Sequence, residues 1–239
     1  MSNKPKAQAK AEARAARLAE IKKAEKAAER RRNLMIAGVA VVVLAILGGV
    51  FYFVSRSNDV EATDAGSSKY GVTIGSKDAP HTLVIYEDFL CPACGALEEA
   101  TGERLTKLAD EGKVLVEYRP FTLLDRFGPY SAESASAFGV VLEESGPEIA
   151  KKFHDILYAN QPAEDAESFP GSDWLIEKAV EAGADEAAVR PGIEEGENDW
   201  AKEATKEAFE AGVQGTPTVL LDGETFTGKY EDLWKALED

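Results

Sequence analysis

Cysteine and histidine are both scarce in this sequence of 239 residues, which has two of each. They are Cys91, Cys94, His81 and His154. A protein stabilised by several structural disulfides needs cysteines spread along the chain, so the sequence excludes that class of protein. A tetrahedral zinc site needs four ligands, and neither histidine is near the cysteine pair in the sequence. We therefore predict no metal site, and the two cysteines, three positions apart, become the candidate chemical centre.

Positive charge is scarce beyond the first 33 residues. Residues 34–239 contain sixteen Lys and Arg against thirty-nine Asp and Glu, a net charge of −23. A surface this acidic repels the phosphate backbone of nucleic acids, so we predict no nucleic-acid partner. Residues 1–33 have the opposite sign, with eleven Lys and Arg against four Glu and a net charge of +7. They form a basic arm that is too short to be a domain.

One long uncharged run, residues 34–54, follows the basic arm. As a helix rising about 1.5 Å per residue, its 21 residues span a bilayer core of about 30 Å. The run is longer than the apolar region of a signal peptide, about 7–15 residues, and no Ala-x-Ala cleavage site follows it. We therefore predict a retained transmembrane helix that embeds the protein in the cell membrane. Basic residues stay on the cytoplasmic side, so residues 1–33 are predicted to be a cytoplasmic tail and the later residues extracytoplasmic.

The rest of the chain divides into a linker and one domain. Residues 55–69 are polar and contain Gly66-Ser67-Ser68 near their end, which predicts a flexible linker. Residues 70–239 follow, and this length is enough for one good hydrophobic core. We therefore predict a single folded domain over 70–239.

Hydrophobic patterns predict a β–α–β unit at the start of this domain. β-Branched and aromatic residues indicate a strand at Thr82–Tyr86. A helical pattern begins at Pro92 and continues to about Glu111, and a second strand covers Val114–Phe121. Two strands connected through a helix in this way are expected to lie parallel.

A helical block and a hairpin complete the domain. Residues from about 125 to 212 have helical composition and are punctuated by Gly146-Pro147 and Pro170-Gly171. The helices predicted in this block are Ala132–Glu144, Glu148–Tyr158, Asp173–Ala182 and Asn198–Ala211. After it we predict a strand at Gly215–Leu221, a returning strand at Glu224–Thr227 and a short helix at Glu231–Leu237.

The segment Cys91-Pro92-Ala93-Cys94 places two thiols at the start of the predicted helix. The first lies near the helix N-terminus, where unpaired backbone N–H groups and the helix dipole favour a thiolate. The second lies about one turn further along, within bridging distance. We therefore predict that Cys91 is the nucleophile, that Cys94 is the resolving thiol and that they form a redox-active disulfide. The alternatives are an inert buried pair and a Cu(I) site, because thiolates bind soft metals.

Gly215-Thr216-Pro217-Thr218 is a second motif, at the start of a predicted strand. Proline there is unusual, because it cannot donate a hydrogen bond to a neighbouring strand. It is accommodated if the Thr216–Pro217 bond is cis and the turn faces the cysteine pair, since the exposed backbone could then pair with an extended peptide. We therefore name Thr216 and Pro217 as candidate substrate-binding residues. The alternative is a trans proline at a strand edge.

The two motifs resemble those of DsbA-like oxidoreductases of the thioredoxin fold. Tyr86–Cys94 is similar to the family's active-site segment, Val213–Thr218 to its cis-proline loop, and the helical block 125–212 to its helical insertion. The resemblance covers about Tyr70 to Asp239. It implies an α/β thioredoxin-like fold with a helical insertion, here preceded by the predicted transmembrane helix, and it implies a catalytic disulfide and protein substrates.

The sequence departs from this family at two positions. Ala93 stands where the family's best-known oxidase has a histidine that helps to hold the thiolate. Ile85 stands six residues before the first cysteine, where the family often has a buried acid. Glu87 and Asp88 are nearer to the cysteines, but we expect side chains on a turn to be solvated and assign no catalytic carboxylate. We expect His154 to be an ordinary packed or exposed residue of a helix.

Together, the resemblance and the predicted topology imply a function. We expect the protein to oxidise exported proteins through the Cys91–Cys94 disulfide, without a bound cofactor, because an extracytoplasmic compartment lets disulfides persist. The expected partners are exported proteins with free thiols and a membrane-bound or small-molecule reoxidant. The alternatives are a disulfide reductase or isomerase, a Cu(I)-binding chaperone and a non-enzymatic membrane anchor.

Overall fold

The structure is a computed structural model that describes residues 60–61 and 63–238. The predicted cytoplasmic tail (1–33) and the predicted transmembrane helix (34–54) lie outside the described residues. Within the described part of the chain, no helix combines the length and the apolar character that crossing a membrane requires.

A five-stranded mixed sheet forms the centre of the domain. Its strands are β1 (Val72–Ile74), β2 (His81–Glu87), β3 (Val114–Pro120), β4 (Thr218–Leu221) and β5 (Glu224–Thr225). They lie in the order β1-β3-β2-β4-β5. β2 and β3 are parallel, as predicted, and β4 runs antiparallel to β2. The carboxyl end of β2 is therefore next to the start of β4, because Tyr86 pairs with Thr218.

Helices provide most of the remaining structure. They are α1 (Pro92–Asp110), α2 (Tyr130–Ser145), α3 (Pro147–Ala159), α4 (Ser172–Ala182), α5 (Glu186–Glu194), α6 (Asp199–Glu210), α7 (Tyr230–Glu238) and a 3-10 helix at Asp125–Phe127. The local sequence determines where several of these helices begin. Pro92 opens α1, where a proline's fixed φ and missing N–H cost nothing. Asp185 and Asn198 cap α5 and α6, each accepting a backbone N–H from three residues further on.

Strand β1 and helix α5 were not predicted from the sequence. Strand β1 has only three residues and pairs antiparallel with β3 at the edge of the sheet, which is too short for a recognisable alternation. Helix α5 contains Pro191 and Gly192, which ordinarily argue against a helix interior. It forms because its cap and its buried Val189 and Ile193 hold it against the neighbouring helices.

The side chains of β2 alternate between two hydrophobic layers. Leu83 and Ile85 belong to the larger core, which also contains the buried side chains of α1 to α5. Val84 and Tyr86 belong to a smaller cluster on the opposite face, with the end of α6. Because successive side chains of a strand point to opposite faces, Glu87 follows Ile85 on the side of the larger core.

The end of the predicted linker (55–69) packs against the sheet. The buried guanidinium of Arg119 donates hydrogen bonds to the Thr63 hydroxyl and the Asp64 carbonyl, both at 3.1 Å. It also donates a hydrogen bond of 2.6 Å to the carboxylate of Glu117, which lies on the same strand. These residues of the predicted linker are therefore held against the sheet, because a buried cation on β3 needs hydrogen-bond acceptors and the segment supplies three of them, the third being the Ser67 hydroxyl.

Two helical glycines are expected to respond in opposite ways to substitution by alanine. A Cβ atom at Gly139 in α2 would overlap the indole ring of Trp200, whereas one at Gly102 in α1 would approach only the flexible side chain of Glu98. Gly139→Ala should lower the free energy of unfolding by about 1–3 kcal/mol through overpacking. Gly102→Ala should leave it unchanged or raise it by up to about 1 kcal/mol, because alanine favours helix. Urea unfolding of the two variants measures both changes, and equal destabilisation would contradict this packing.

Candidate active site

The two cysteines lie where the sheet meets helix α1. Cys91 is the N-cap residue of α1, just beyond the carboxyl end of β2, and Cys94 is in the first turn. Both are free thiols. Cys91 is 6% exposed and Cys94 is fully buried. Cys91 is therefore the sulfur of the pair that solvent and other molecules can reach.

The Cys91 thiol is acidic because hydrogen-bond donors surround it. The side chain of Cys94 is the largest influence, and the backbone N–H groups of Cys94 and Ala93 at the start of α1 add to it. Together they lower the pKa of Cys91 to about 6, although burial opposes them. Cys91 is therefore mainly a thiolate at neutral pH, as the helix N-terminus led us to expect.

The pKa of the Cys94 thiol is shifted in the opposite direction. Burial raises the pKa of Cys94 far above its ordinary value, and the hydrogen bond to Cys91 and the charge of Glu87 raise it further. The hydroxyl of Thr216 opposes these effects only in part. Cys94 therefore keeps its proton while Cys91 loses its own, so the dithiol has one negative charge, on the more exposed sulfur.

The turn before β4 brings Thr216 and Pro217 to the cysteines. The Thr216–Pro217 peptide bond is cis, as the resemblance to the family's cis-proline loop implies. The carbonyl oxygen of Thr216 lies 3.4 Å from the Cys91 sulfur, and its hydroxyl lies 2.8 Å from the Cys94 sulfur. The antiparallel pairing of β4 with β2 causes this contact, because it sets the start of β4 beside the end of β2.

Asp88 holds the turn that precedes the cysteines. The expectation that this carboxylate is solvated is wrong, because Asp88 is fully buried. One oxygen accepts the backbone N–H of Leu90 at 2.8 Å. The other accepts the N–H groups of Leu123 and Leu124 at 2.8 and 2.9 Å and the Ser131 hydroxyl at 2.6 Å. A buried carboxylate needs such donors, and here they tie the turn to the segment after β3 and to α2.

Glu87 and His154 form a buried pair that the sequence did not predict. Both are fully buried, and His154 Nε2 lies 2.6 Å from Glu87 Oε1. His154 Nδ1 lies 2.9 Å from the carboxylate of Asp155, which is partly exposed. Burial lowers the pKa of His154, but the charge of Glu87 and the hydrogen bonds to both carboxylates reverse this and raise it to about 9. His154 is therefore protonated at neutral pH, and the expected ordinary helix residue is instead a buried cation.

Glu98 extends this pair towards solvent. With Lys151 and Asp155 it lines a groove of about 780 Å³ between α1 and α3. Burial is the main cause that raises the pKa of Glu98 to about 7. The ligand atoms of Glu87, Glu98 and His154 lie within 4.8 Å of one another, so these three residues are the ones in the described region that could hold a metal ion.

Gln161, which follows helix α3, fixes the backbone of the cysteine turn. Its side-chain nitrogen donates to the carbonyl oxygens of Phe89 and Cys91, both at 2.9 Å. These carbonyls lie just before the first residue of α1. Their orientation therefore determines how the backbone enters this helix. The helical insertion thus supports the site through Gln161 as well as through His154.

One sequence signal could have identified Glu87. It lies two residues after Ile85 in a strand of period two, so the alternation already placed it on the buried face. Asp88, His154 and Gln161 gave no comparable signal, because their roles depend on contacts between segments 35 to 72 residues apart.

The reactivity of the cysteines should depend on pH in a way that distinguishes them. The rate of Cys91 alkylation by iodoacetamide should rise with a midpoint near the pKa of about 6, because only the thiolate reacts. Cys94 should stay unmodified up to at least pH 9. Mass spectrometry of the reduced protein after timed alkylation measures both. A midpoint near the ordinary thiol value, or equal labelling of the two cysteines, would contradict the site described here.

Comparison with known proteins agrees with this geometry. Residues 67–239 match the model of a protein family described as Thioredoxin. A curated relative, a probable disulfide bond formation protein D from Bacillus cereus, is 23% identical over 217 residues, which cover 86% of this chain and 96% of the relative.

Solved structures of thiol–disulfide oxidoreductases also resemble this chain. The reduced form of the disulfide bond oxidoreductase DsbG from Mycobacterium tuberculosis is 32% identical, with a TM-score of 0.65 over 73% of this chain and 88% of that one. Oxidised DsbA from M. tuberculosis is 32% identical, with a TM-score of 0.62 over 70% and 91%. The chain therefore belongs to the thioredoxin family, among its DsbA-like thiol–disulfide oxidoreductases.

Proposed function

We propose that the protein oxidises thiols of exported proteins, with Cys91 as the nucleophilic and leaving sulfur. The observation that carries this proposal is the unequal acidity of the two cysteines. The pKa of Cys91 is lowered to about 6, and that of Cys94 is raised. A stabilised Cys91 thiolate stabilises the reduced enzyme, so the Cys91–Cys94 disulfide tends to accept electrons from substrate.

In the proposed reaction, a substrate thiolate attacks the Cys91 sulfur of the disulfide. A substrate–Cys91 bond forms, the Cys91–Cys94 bond breaks, and Cys94 leaves as a thiolate that takes up a proton. A second substrate thiolate then attacks the substrate sulfur of this mixed disulfide, and Cys91 leaves as a thiolate. The substrate loses two electrons and the enzyme gains them. A membrane-bound or small-molecule oxidant restores the disulfide, and no bound cofactor takes part.

Thr216 and Pro217 are the proposed contact for the substrate backbone. The carbonyl oxygen of Thr216 lies beside the Cys91 sulfur, where it could accept an N–H from an extended peptide attached to that sulfur. Backbone hydrogen bonds of this kind bind peptides with little dependence on their side chains. An enzyme that oxidises many exported proteins requires this tolerance.

We also propose that the catalytic domain lies outside the cytoplasm, anchored by residues 34–54. The charge of +7 over residues 1–33 supports this orientation. The proposed oxidation supports it as well, because glutathione and thioredoxin keep cytosolic thiols reduced.

Trapping experiments test the roles of the two sulfurs. Cys94→Ala should accumulate mixed disulfides with exported proteins, because the neighbouring thiol that would release Cys91 is missing. Cys91→Ala should accumulate at least tenfold less, because Cys94 is fully buried. Non-reducing gels after acid quenching measure the adducts. Equal accumulation by the two variants would reject the assignment.

The redox potential decides between oxidation and the alternatives of reduction or isomerisation. Because the Cys91 thiolate is stabilised without a histidine at position 93, the potential should lie between those of thioredoxin, about −270 mV, and DsbA, about −120 mV, and nearer the latter. Ala93→His should raise it and lower the pKa of Cys91, whereas Ala96→His, on the exposed face of the same helix, should change both less. Equilibration with glutathione buffers measures the potential. A value at or below that of thioredoxin would favour a reductase.

Protease accessibility tests the proposed topology. Protease added to intact spheroplasts should remove the domain from about Tyr70 onward and leave the basic tail protected. A cytoplasmic marker protein that stays intact shows that the membrane is closed. If the domain survives in intact spheroplasts but is digested after lysis, the domain lies in the cytoplasm and the proposed orientation is wrong.

A further inference from the structure

We propose that Glu87, Glu98 and His154 form a binding site for one divalent transition-metal cation with the ligand preferences of Zn²⁺. The site lies behind the buried Cys94, because Glu98 is one helical turn beyond Cys94 in α1. The sequence predicted no metal site, because these residues are far apart in the chain. The fold brings them together from three elements: the end of β2, the first half of α1, and α3.

The spacing of the ligand atoms supports the site. One oxygen from each glutamate and one imidazole nitrogen lie within 4.8 Å of one another. Zn²⁺ lies about 2.0–2.2 Å from nitrogen and oxygen ligands, so small side-chain rotations would bring all three atoms within reach of one ion. His154 Nε2 and Glu87 Oε1 are 2.6 Å apart and share a proton that the ion would replace.

The orientation of His154 is the one expected of a metal ligand. Its Nδ1 lies 2.9 Å from the Asp155 carboxylate, which accepts the Nδ1 proton and directs Nε2 towards Glu87. Histidines that bind metals usually donate their second ring N–H to a carboxylate in this way, which fixes the tautomer and the direction of the ring. Asp155 would hold the ligand without touching the ion.

Two oxygens in the cluster are without a partner in the described structure. They are Glu87 Oε2 and Glu98 Oε1, and both atoms are buried. Glu87 itself is fully buried, so its unpaired oxygen is not in contact with bulk solvent. Leaving a buried acceptor unsatisfied costs free energy, and the cost is greater for a charged group. A cation between the three side chains would satisfy both oxygens at once.

The charges around the cluster match a divalent ion. Glu87, Glu98 and Asp155 provide three negative charges when ionised, and Lys151, which pairs with Asp155, provides one positive charge. A divalent cation bound to neutral His154 balances the remaining two.

The ligand types and the groove indicate which ion could enter. An imidazole with two carboxylates suits Zn²⁺ and neighbouring transition metals, whereas Ca²⁺ takes six to eight oxygen ligands. The groove lined by Glu98, Lys151 and Asp155 opens to solvent, so the ion has a path of entry and a water molecule can serve as the fourth ligand.

Calorimetric titration of the oxidised full-length protein with Zn²⁺ tests the site. Oxidation joins Cys91 to Cys94 and removes both thiolates as ligands. We expect one Zn²⁺ per chain, with an affinity that rises at least tenfold from pH 6 to pH 7.5, because the ligands must lose protons to bind. A stoichiometry of zero, or binding that appears only in the reduced protein, would overturn the proposal.

Matched variants identify the ligands. Glu98→Gln should weaken Zn²⁺ binding at least tenfold, and His154→Gln should abolish it. Glu99→Gln is the control, because Glu99 is exposed in the same groove and is not a proposed ligand. Far-ultraviolet circular dichroism shows whether each variant is folded. Unchanged affinity in a folded Glu98→Gln variant, or an equal loss in Glu99→Gln, would reject the site. Anomalous scattering from Zn²⁺-soaked crystals should give a peak among the three side chains, and a peak elsewhere also rejects it.

Discussion

The hydrogen bonds of the Asp88 carboxylate hold the active site together. They join the turn before the cysteines to the segment after β3 and to the start of α2. Gln161 holds the same turn from the side of α3. With this turn fixed, Cys91 takes the N-cap position of α1, and the backbone N–H groups behind it face its sulfur. The geometry that makes the reactive thiol acidic therefore depends on this carboxylate, although the charge of Asp88 itself raises the pKa of Cys91.

The two sulfurs differ because their surroundings act on charge in opposite ways. Donors at the helix start and from Cys94 stabilise negative charge on Cys91. Burial and the nearby Glu87 disfavour it on Cys94. The protein thus confines the charge of the dithiol to the sulfur that substrate can reach. Glu87 can remain close to Cys94 because the protonated His154 offsets its charge.

The sequence was sufficient for the parts of the fold and the site that local patterns encode. The β–α–β unit and the cysteine pair at the start of α1 were predicted from such patterns, whereas the cis bond before Pro217 was expected from the resemblance to DsbA-like proteins. Helix α5 was not, because Pro191 argues against a helix unless tertiary packing holds it. The burial of Asp88 and His154 was not predicted either. A polar residue is buried only when distant partners satisfy it, and no local pattern contains that information.

The support of Cys91 by Gln161 and of Glu87 by His154 affects how the protein behaves before it is mature. Both supporting residues belong to the helical insertion and follow the cysteines by 60 residues or more. A growing chain that has exposed Cys91 and Cys94 but not yet docked α3 lacks both contacts, so the turn that leads into α1 is not yet held in place. The geometry of the site is thus complete only after a segment that is synthesised later has folded back onto the cysteines.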